Sequence, residues 1–275
     1  MFLEPLIGLD FPSKETKASF LETSPLSTFP PVEEGSPAPG KRVRVYLQDF
    51  PGIYYIVFLP YNFTEYKTWP VICEIPAHAM SDYRTWLGYG ITGGVDYIWV
   101  SLPILNSEGS EILMSYLPEK INPTIECWEA VLKDLSIRFH INKQKIIIAG
   151  FSLGAFATSY LGNFNDAISL KWRAYIAHSH FDGCCLNVTN SKDIDKRLER
   201  IGEKKVLLIA GKNDLANLCT KQAFKKLRLK GVKVTFIEIP DVQPSEEWPS
   251  ETHNPLWILK PSIYLEKVRK WLKTI

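Results

Sequence analysis

Long apolar runs, a patterned set of cysteines and an excess of either charge are all missing from this chain of 275 residues. No stretch approaches the roughly 18 consecutive apolar residues that a membrane span needs, so no membrane partner is expected. Basic and acidic residues nearly cancel, 32 against 30, for a formal net charge of +2. Without a basic excess there is no electrostatic reason to expect nucleic acid or an anionic lipid surface as a partner. The five cysteines (Cys73, Cys127, Cys184, Cys185, Cys219) show no C-x-x-C spacing. That removes a zinc ribbon and a thioredoxin-type site, and buried free thiols are the expectation. The first dozen residues hold Glu4 and Asp10 but neither Lys nor Arg. The basic start of a secretory signal is therefore missing, and the chain as presented reads as cytoplasmic.

What is present is an ordinary globular composition, 45% hydrophobic and 23% charged. Those fractions exclude disorder, collagen-like repeats and a coiled coil. A chain of this length buries roughly 70–75% of the surface that its unfolded form exposes, so it needs no metal or disulfide staple.

Residues 1–40 stand apart. Five prolines fall between Ser24 and Gly40, interleaved with Gly, Ser and Thr, which suits an extended segment lying on the body. From Lys41 to the end, residues 41–275 read as one domain. Arg42–Leu47 alternates polar and apolar residues, and Ile53–Leu59 follows the turn residues Pro51-Gly52, which predicts an antiparallel hairpin. Apolar runs then recur at Val71–Ile75, Tyr97–Leu102, Lys145–Ala149, Arg173–Ala177, Lys205–Ala210 and Lys233–Ile239. Between them lie helical stretches, clearest at 125–139, where Trp128, Val131, Leu132, Leu135 and Phe139 repeat at three and four. Near-continuous apolar strands alternating with helices mean a parallel sheet covered on both faces. The expected fold is a three-layer α/β/α sandwich, with a mostly parallel eight-stranded sheet and an N-terminal antiparallel hairpin.

One motif carries chemistry. Gly150-Phe151-Ser152-Leu153-Gly154 directly follows the strand-like Ile146–Ala149 and opens a helical stretch. This G-x-S-x-G pattern forces a sharp strand-to-helix turn that lifts the serine hydroxyl off the sheet edge, with small residues leaving room for the turn. A lone serine is a poor nucleophile and needs a base and an orienting acid. On this architecture they come later in the chain, acid first. Asp214 follows the run ending at Ala210, and His253 lies in the loop after the last strand. The expected triad is Ser152, Asp214 and His253. Asp182 is the second choice for the acid.

These residues, with Tyr54–Phe63 and the Trp69-Pro70-Val71-Ile72 phrase, resemble the α/β-hydrolase superfamily, and especially esterases similar to polyhydroxybutyrate depolymerases and feruloyl esterases. The likeness covers about 40–275. It implies an acyl-enzyme mechanism on a carboxylic ester, with an oxyanion hole formed by the N–H groups of His78 and Leu153. It also marks a departure, because Pro76-Ala77 stands where these esterases carry His-Gly.

Two other patterns compete. Gly88-Tyr89-Gly90-Ile91-Thr92-Gly93 spells the dinucleotide fingerprint, but a strand follows it where a helix is required. His178-Ser179-His180-Phe181-Asp182 resembles the first metal motif of metallo-β-lactamase-like hydrolases, yet no further histidine cluster supplies the remaining ligands. His180, Asp182 and Trp248 are instead expected to contact substrate. The reading is a serine hydrolase of small-molecule or carbohydrate-linked esters, with no metal and no organic cofactor. A catalytically silent binding protein, a peptidase and a metal-dependent hydrolase are the alternatives.

Overall fold

The computed structural model describes residues 29–77, 85–113, 117–182, 193–240, 242 and 252–275. The apolar runs form strands β1 (Val32–Glu33), β2 (Arg42–Tyr46), β3 (Tyr54–Phe58), β4 (Trp69–Ile75), β5 (Ile98–Ser101), β6 (Ile141–Phe151), β7 (Ala174–His178), β8 (Lys205–Gly211) and β9 (Lys233–Ile239). They make one nine-stranded sheet in the order β1-β2-β3-β5-β4-β6-β7-β8-β9. The hairpin β2–β3 is antiparallel and β3 meets β5 antiparallel. From β5 to β9 every pairing is parallel. The strand beyond the expected eight is β1, which runs parallel to β2. Two residues in a proline-rich stretch carry no periodicity from which a strand can be read.

Among the described residues the α-helices are α1 (Leu87–Thr92), α2 (Asn122–Arg138), α3 (Leu153–Tyr160), α4 (Asp166–Ser169), α5 (Ile194–Glu199), α6 (Asn217–Leu229) and α7 (Ile263–Leu272). Because successive strand residues face opposite ways, each central strand feeds two cores. Val71, Cys73, Ile146, Ile148, Val206 and Leu208 join one core with Trp128, Val131 and Leu135 of α2 and Leu227 of α6. Ile72, Ile147, Ala149, Leu207 and Ile209 join the other with Ile91 of α1 and Val268 and Trp271 of α7. Burying side chains of this size contributes about 1.5–3 kcal/mol each, so the double-sided burial is the main stabilising term.

The penultimate residue of β4 carries a buried carboxyl group. Glu74 is 1% exposed and accepts from the N–H groups of Trp86, Leu87 and Gly88 and from Trp99 Nε1 at 2.7–3.0 Å. Burial pushes its carboxyl up to about 7 against the pull of those four donors. The carboxylate thereby anchors the start of α1 to the sheet.

The G-x-G-x-x-G stretch is α1 and its cap. Gly93 has φ 65°, and a Cβ at Gly88 would lie 2.1 Å from Trp99 while one at Gly90 would lie 2.5 Å from Ile258. These glycines let a helix press against its neighbours.

Cys73 and Cys127 are buried free thiols. Cys219 of α6 is disulfide-bonded, which corrects the expectation of free thiols throughout. Cysteine spacing along a chain says little about which sulfurs meet in space. Among the described residues, no helix is long and apolar enough to cross a membrane.

Candidate active site

The parallel strands bring the ends of β6, β7 and β8 to one edge of the sheet. Strand β6 ends at Phe151 and α3 starts at Leu153, so the whole reversal falls on Ser152, with φ 53° and ψ −120°. A non-glycine residue in such a region is strained by about 1–3 kcal/mol and persists only when its surroundings hold it. Here the surroundings are close. A Cβ at Gly150 would lie 2.3 Å from the carbonyl of Gly154, and one at Gly154 would lie 2.2 Å from the oxygen of Ile75. Only glycine fits at either position, which is the physical content of the spacing. The turn is also tied sideways, since Ser152 N–H donates to His178 O at 2.9 Å.

Three residues meet at this edge. His253 Nε2 lies 2.9 Å from Ser152 Oγ, and His253 Nδ1 lies 2.8 Å from Asp214 Oδ1. Asp214 is 5% exposed and Ser152 8%. Burial alone would raise the Asp214 carboxyl. The hydrogen bond and charge of His253, with donors from Ser179 and the Ala216 N–H, overcome it and hold the group below its ordinary range. Asp214 also shapes its own turn, because its Oδ1 accepts from Ala216 N–H at 2.7 Å just before α6. The loop bearing His253 is fastened to the loop bearing Asp214 by Thr252 Oγ1–H, which donates to Asn213 O at 2.8 Å. The Phe151 ring packs against His253 with centroids 4.8 Å apart.

The remaining expected residues are distributed differently. Asp182 is 1% exposed and receives Arg197 Nε at 2.5 Å and Arg197 Nη2 at 3.1 Å. The carboxylate on His253 Nδ1 is thus that of Asp214. His180 lies beside the base, its ring edge-on to that of His253 with centroids 5.6 Å apart. Leu153 is the first residue of α3, and a first-turn N–H has no intrahelical partner. His78 and Trp248 lie outside the described residues. Among the described residues, no three His, Cys, Asp or Glu side chains are grouped to hold a metal. In the H-x-H-x-D stretch the two ring nitrogens of His178 face Ser179 Oγ and Trp257 Nε1.

Sequence reasoning passed over Ser179 and Trp257. Ser179 donates to Asp214 Oδ2, and Trp257 Nε1–H donates to His178 Nε2 at 2.7 Å. Their available signals were weak: a serine one residue past a strand end, and a tryptophan four residues past the base.

No family model matches the chain, and no curated protein matches it in sequence. Solved structures do match. A thermostable esterase superposes with a TM-score of 0.57 at 16% identity, covering 85% of this chain and 62% of its own, so the chain spans about three fifths of that protein. A fungal esterase from Rhizomucor miehei gives 0.56 at 12% identity, covering 85% of this chain and 82% of its own. A ferulic acid esterase from Anaeromyces mucronatus, solved with ferulic acid, gives 0.54 at 18% identity, covering 76% and 85%. At such identities the likeness speaks for architecture, and with the strand order above it is decisive: the chain has the α/β-hydrolase fold.

Proposed function

We propose that the chain is a serine hydrolase of carboxylic esters. The observation that carries this reading is the continuous hydrogen-bonded line Ser152 Oγ, His253 Nε2, His253 Nδ1, Asp214 Oδ1, with both contacts at 2.8–2.9 Å. In the proposed reaction His253 Nε2 takes the hydroxyl proton as Ser152 Oγ attacks the carbonyl carbon. The oxyanion then accepts from the Leu153 N–H and, on our assignment, from the N–H of His78. Collapse of the tetrahedral centre expels the alcohol, which receives the proton from His253 and leaves an acyl-serine. Water repeats the sequence, giving a proton to His253 as it attacks the acyl carbon, and His253 returns that proton to Ser152 Oγ as the acid leaves. Asp214 stays ionised throughout, fixing the His253 tautomer and stabilising its imidazolium. No metal or organic cofactor has a part in this scheme.

The names of the structural neighbours make esters the first substrate class to test, and esters of ferulic acid the first subclass. A second reading, binding without turnover, is favoured by Pro76, which has no N–H to offer beside the elbow. Hydrolysis of short-chain p-nitrophenyl esters separates the two. Turnover that survives EDTA dialysis and vanishes in Ser152→Ala supports the hydrolase. No turnover on any ester, with the fold intact, favours the binding protein. The disulfide at Cys219 weighs against a reducing compartment as the place of action.

A further inference from the structure

The hydrogen bonds do not stop at Asp214. His178, the last residue of β7, is fully buried. Its ring lies between Trp257 Nε1 and Ser179 Oγ, each at 2.7 Å. Ser179 in turn meets Asp214 Oδ2. The direction of every bond follows from one property, that an indole N–H can only donate. Trp257 therefore requires an unprotonated Nε2 on His178. Burial pushes the His178 imidazolium down to about 3, so the ring is neutral and its single proton sits on Nδ1. That Nδ1–H donates to Ser179 Oγ, and the hydroxyl turns its own proton to Asp214 Oδ2. The other oxygen, Oδ1, is left to accept from His253 Nδ1–H.

We propose that Trp257, His178 and Ser179 are positioning residues for the base: Trp257 sets the tautomer of His178, and Ser179 passes that choice to Asp214 as a donated hydroxyl proton. The kinetic consequence rests on the serine-hydrolase reading above, whereas the tautomer does not. With the opposite tautomer, His178 Nδ1 would be an acceptor and would compete with Asp214 for the Ser179 proton. A buried carboxylate oxygen would then lose a donor, which is costly. The Trp257 donor excludes that state. Both ends of the relay belong to one segment, 253–257, so the relay also closes the base loop onto the sheet. Backbone geometry fits the same role, since Ser179 holds φ 63° while its N–H donates to Ile209 O at 2.7 Å. Among the described residues, the titratable groups around the His253 ring are Asp214, His180 and His178.

The test combines the pH dependence of kcat/KM on a p-nitrophenyl ester with ¹⁵N spectra of the imidazoles. Ser179→Ala is expected to lower kcat about tenfold or more with KM nearly unchanged, as befits a lost bond to a charged group. It should also move the acid limb to higher pH, because a carboxylate short of one donor holds the proton of His253 more tightly. Ser179→Gly relieves the positive φ yet removes the same hydroxyl, and should show the same limb shift. Trp257→Phe should shift the limb less, in the same direction, and should add nothing in the Ser179→Ala background. The spectra should show His178 protonated on Nδ1 in the native protein and a mixture of tautomers in Trp257→Phe. A native His178 protonated on Nε2, a wild-type profile for Ser179→Gly, or an undiminished Trp257→Phe effect without the Ser179 hydroxyl would each overturn the relay. If the chain turns over no ester at all, the hydrolase reading fails and the His178 spectra alone decide the relay.

Discussion

Ser152 and His178 are joined through the backbone, the amide of the first donating to the carbonyl oxygen of the second at 2.9 Å. The bond prolongs the β6–β7 ladder, whose last register pair is Phe151 with His178, by one step into the turn. A strained residue is thereby tied to a fully buried one. The same His178 presents its ring to Ser179, so the turn bearing the proposed nucleophile and the support of the proposed acid share a single anchor. Displacement of the end of β7 would disturb both together.

The elbow has no room for another carbon. A methyl at position 154 would sit 2.2 Å from the Ile75 oxygen, so Gly154→Ala must push the start of α3 away from the end of β4, at the edge that carries the site. We expect a loss of about 2–3 kcal/mol or more in denaturant unfolding and, on the proposed function, a disproportionate fall in kcat. Wild-type stability in this variant would mean that the turn is looser than described.

The two aspartates should fail in different ways. Asp214→Asn leaves a shape that fits but forces the wrong tautomer on His253, and kcat should fall by about 10³–10⁴ with stability changed little by comparison. Asp182→Asn removes one partner of a buried ion pair with Arg197, which typically costs about 3–5 kcal/mol. Its effect should be read in thermal unfolding, with KM near normal at temperatures where the protein is folded. A raised KM with unchanged stability would return Asp182 to the role of substrate contact.

Acid should weaken the fold through His178. Burial, opposed by the nearby charge of Asp214, holds its imidazolium down to about 3, whereas an unfolded imidazole titrates near pH ~6.5. Between those values the unfolded chain binds a proton that the native one refuses, so stability falls as pH drops through that window. Unfolding midpoints measured from pH 7.5 down to 4.5 should show the advantage of wild type over His178→Gln shrinking with acidity. An advantage independent of pH would mean that His178 is protonated in the native state.

Much of the architecture was legible because burial on two faces leaves short unbroken apolar runs, as in Ile146–Ala149 and Val206–Ala210, whose only consistent home is a covered parallel sheet. The elbow was legible because its glycines answer a steric demand local to five residues. Asp214 and His253 could be read by order along the chain, since the topology delivers strand ends to one edge. What was not legible depends on contacts between distant segments. Ser179 is an ordinary serine until β8 lies beside β7, and Trp257 is one of eight tryptophans until its loop folds over His178. Asp182, five residues beyond Ala177, stayed the second choice for the acid because spacing cannot reveal Arg197 waiting on α5. Glu74 went unremarked, since one acidic residue in a strand gives no sign of the four N–H donors that enclose it.

Labelling with a fluorophosphonate, followed by peptide mapping, tests most directly whether Ser152 is an activated nucleophile. The account predicts one adduct, on the peptide that contains Ser152, absent in Ser152→Ala and formed far more slowly in His253→Ala. A folded protein that takes up no label, or one labelled equally well after Ser152→Ala, would contradict it.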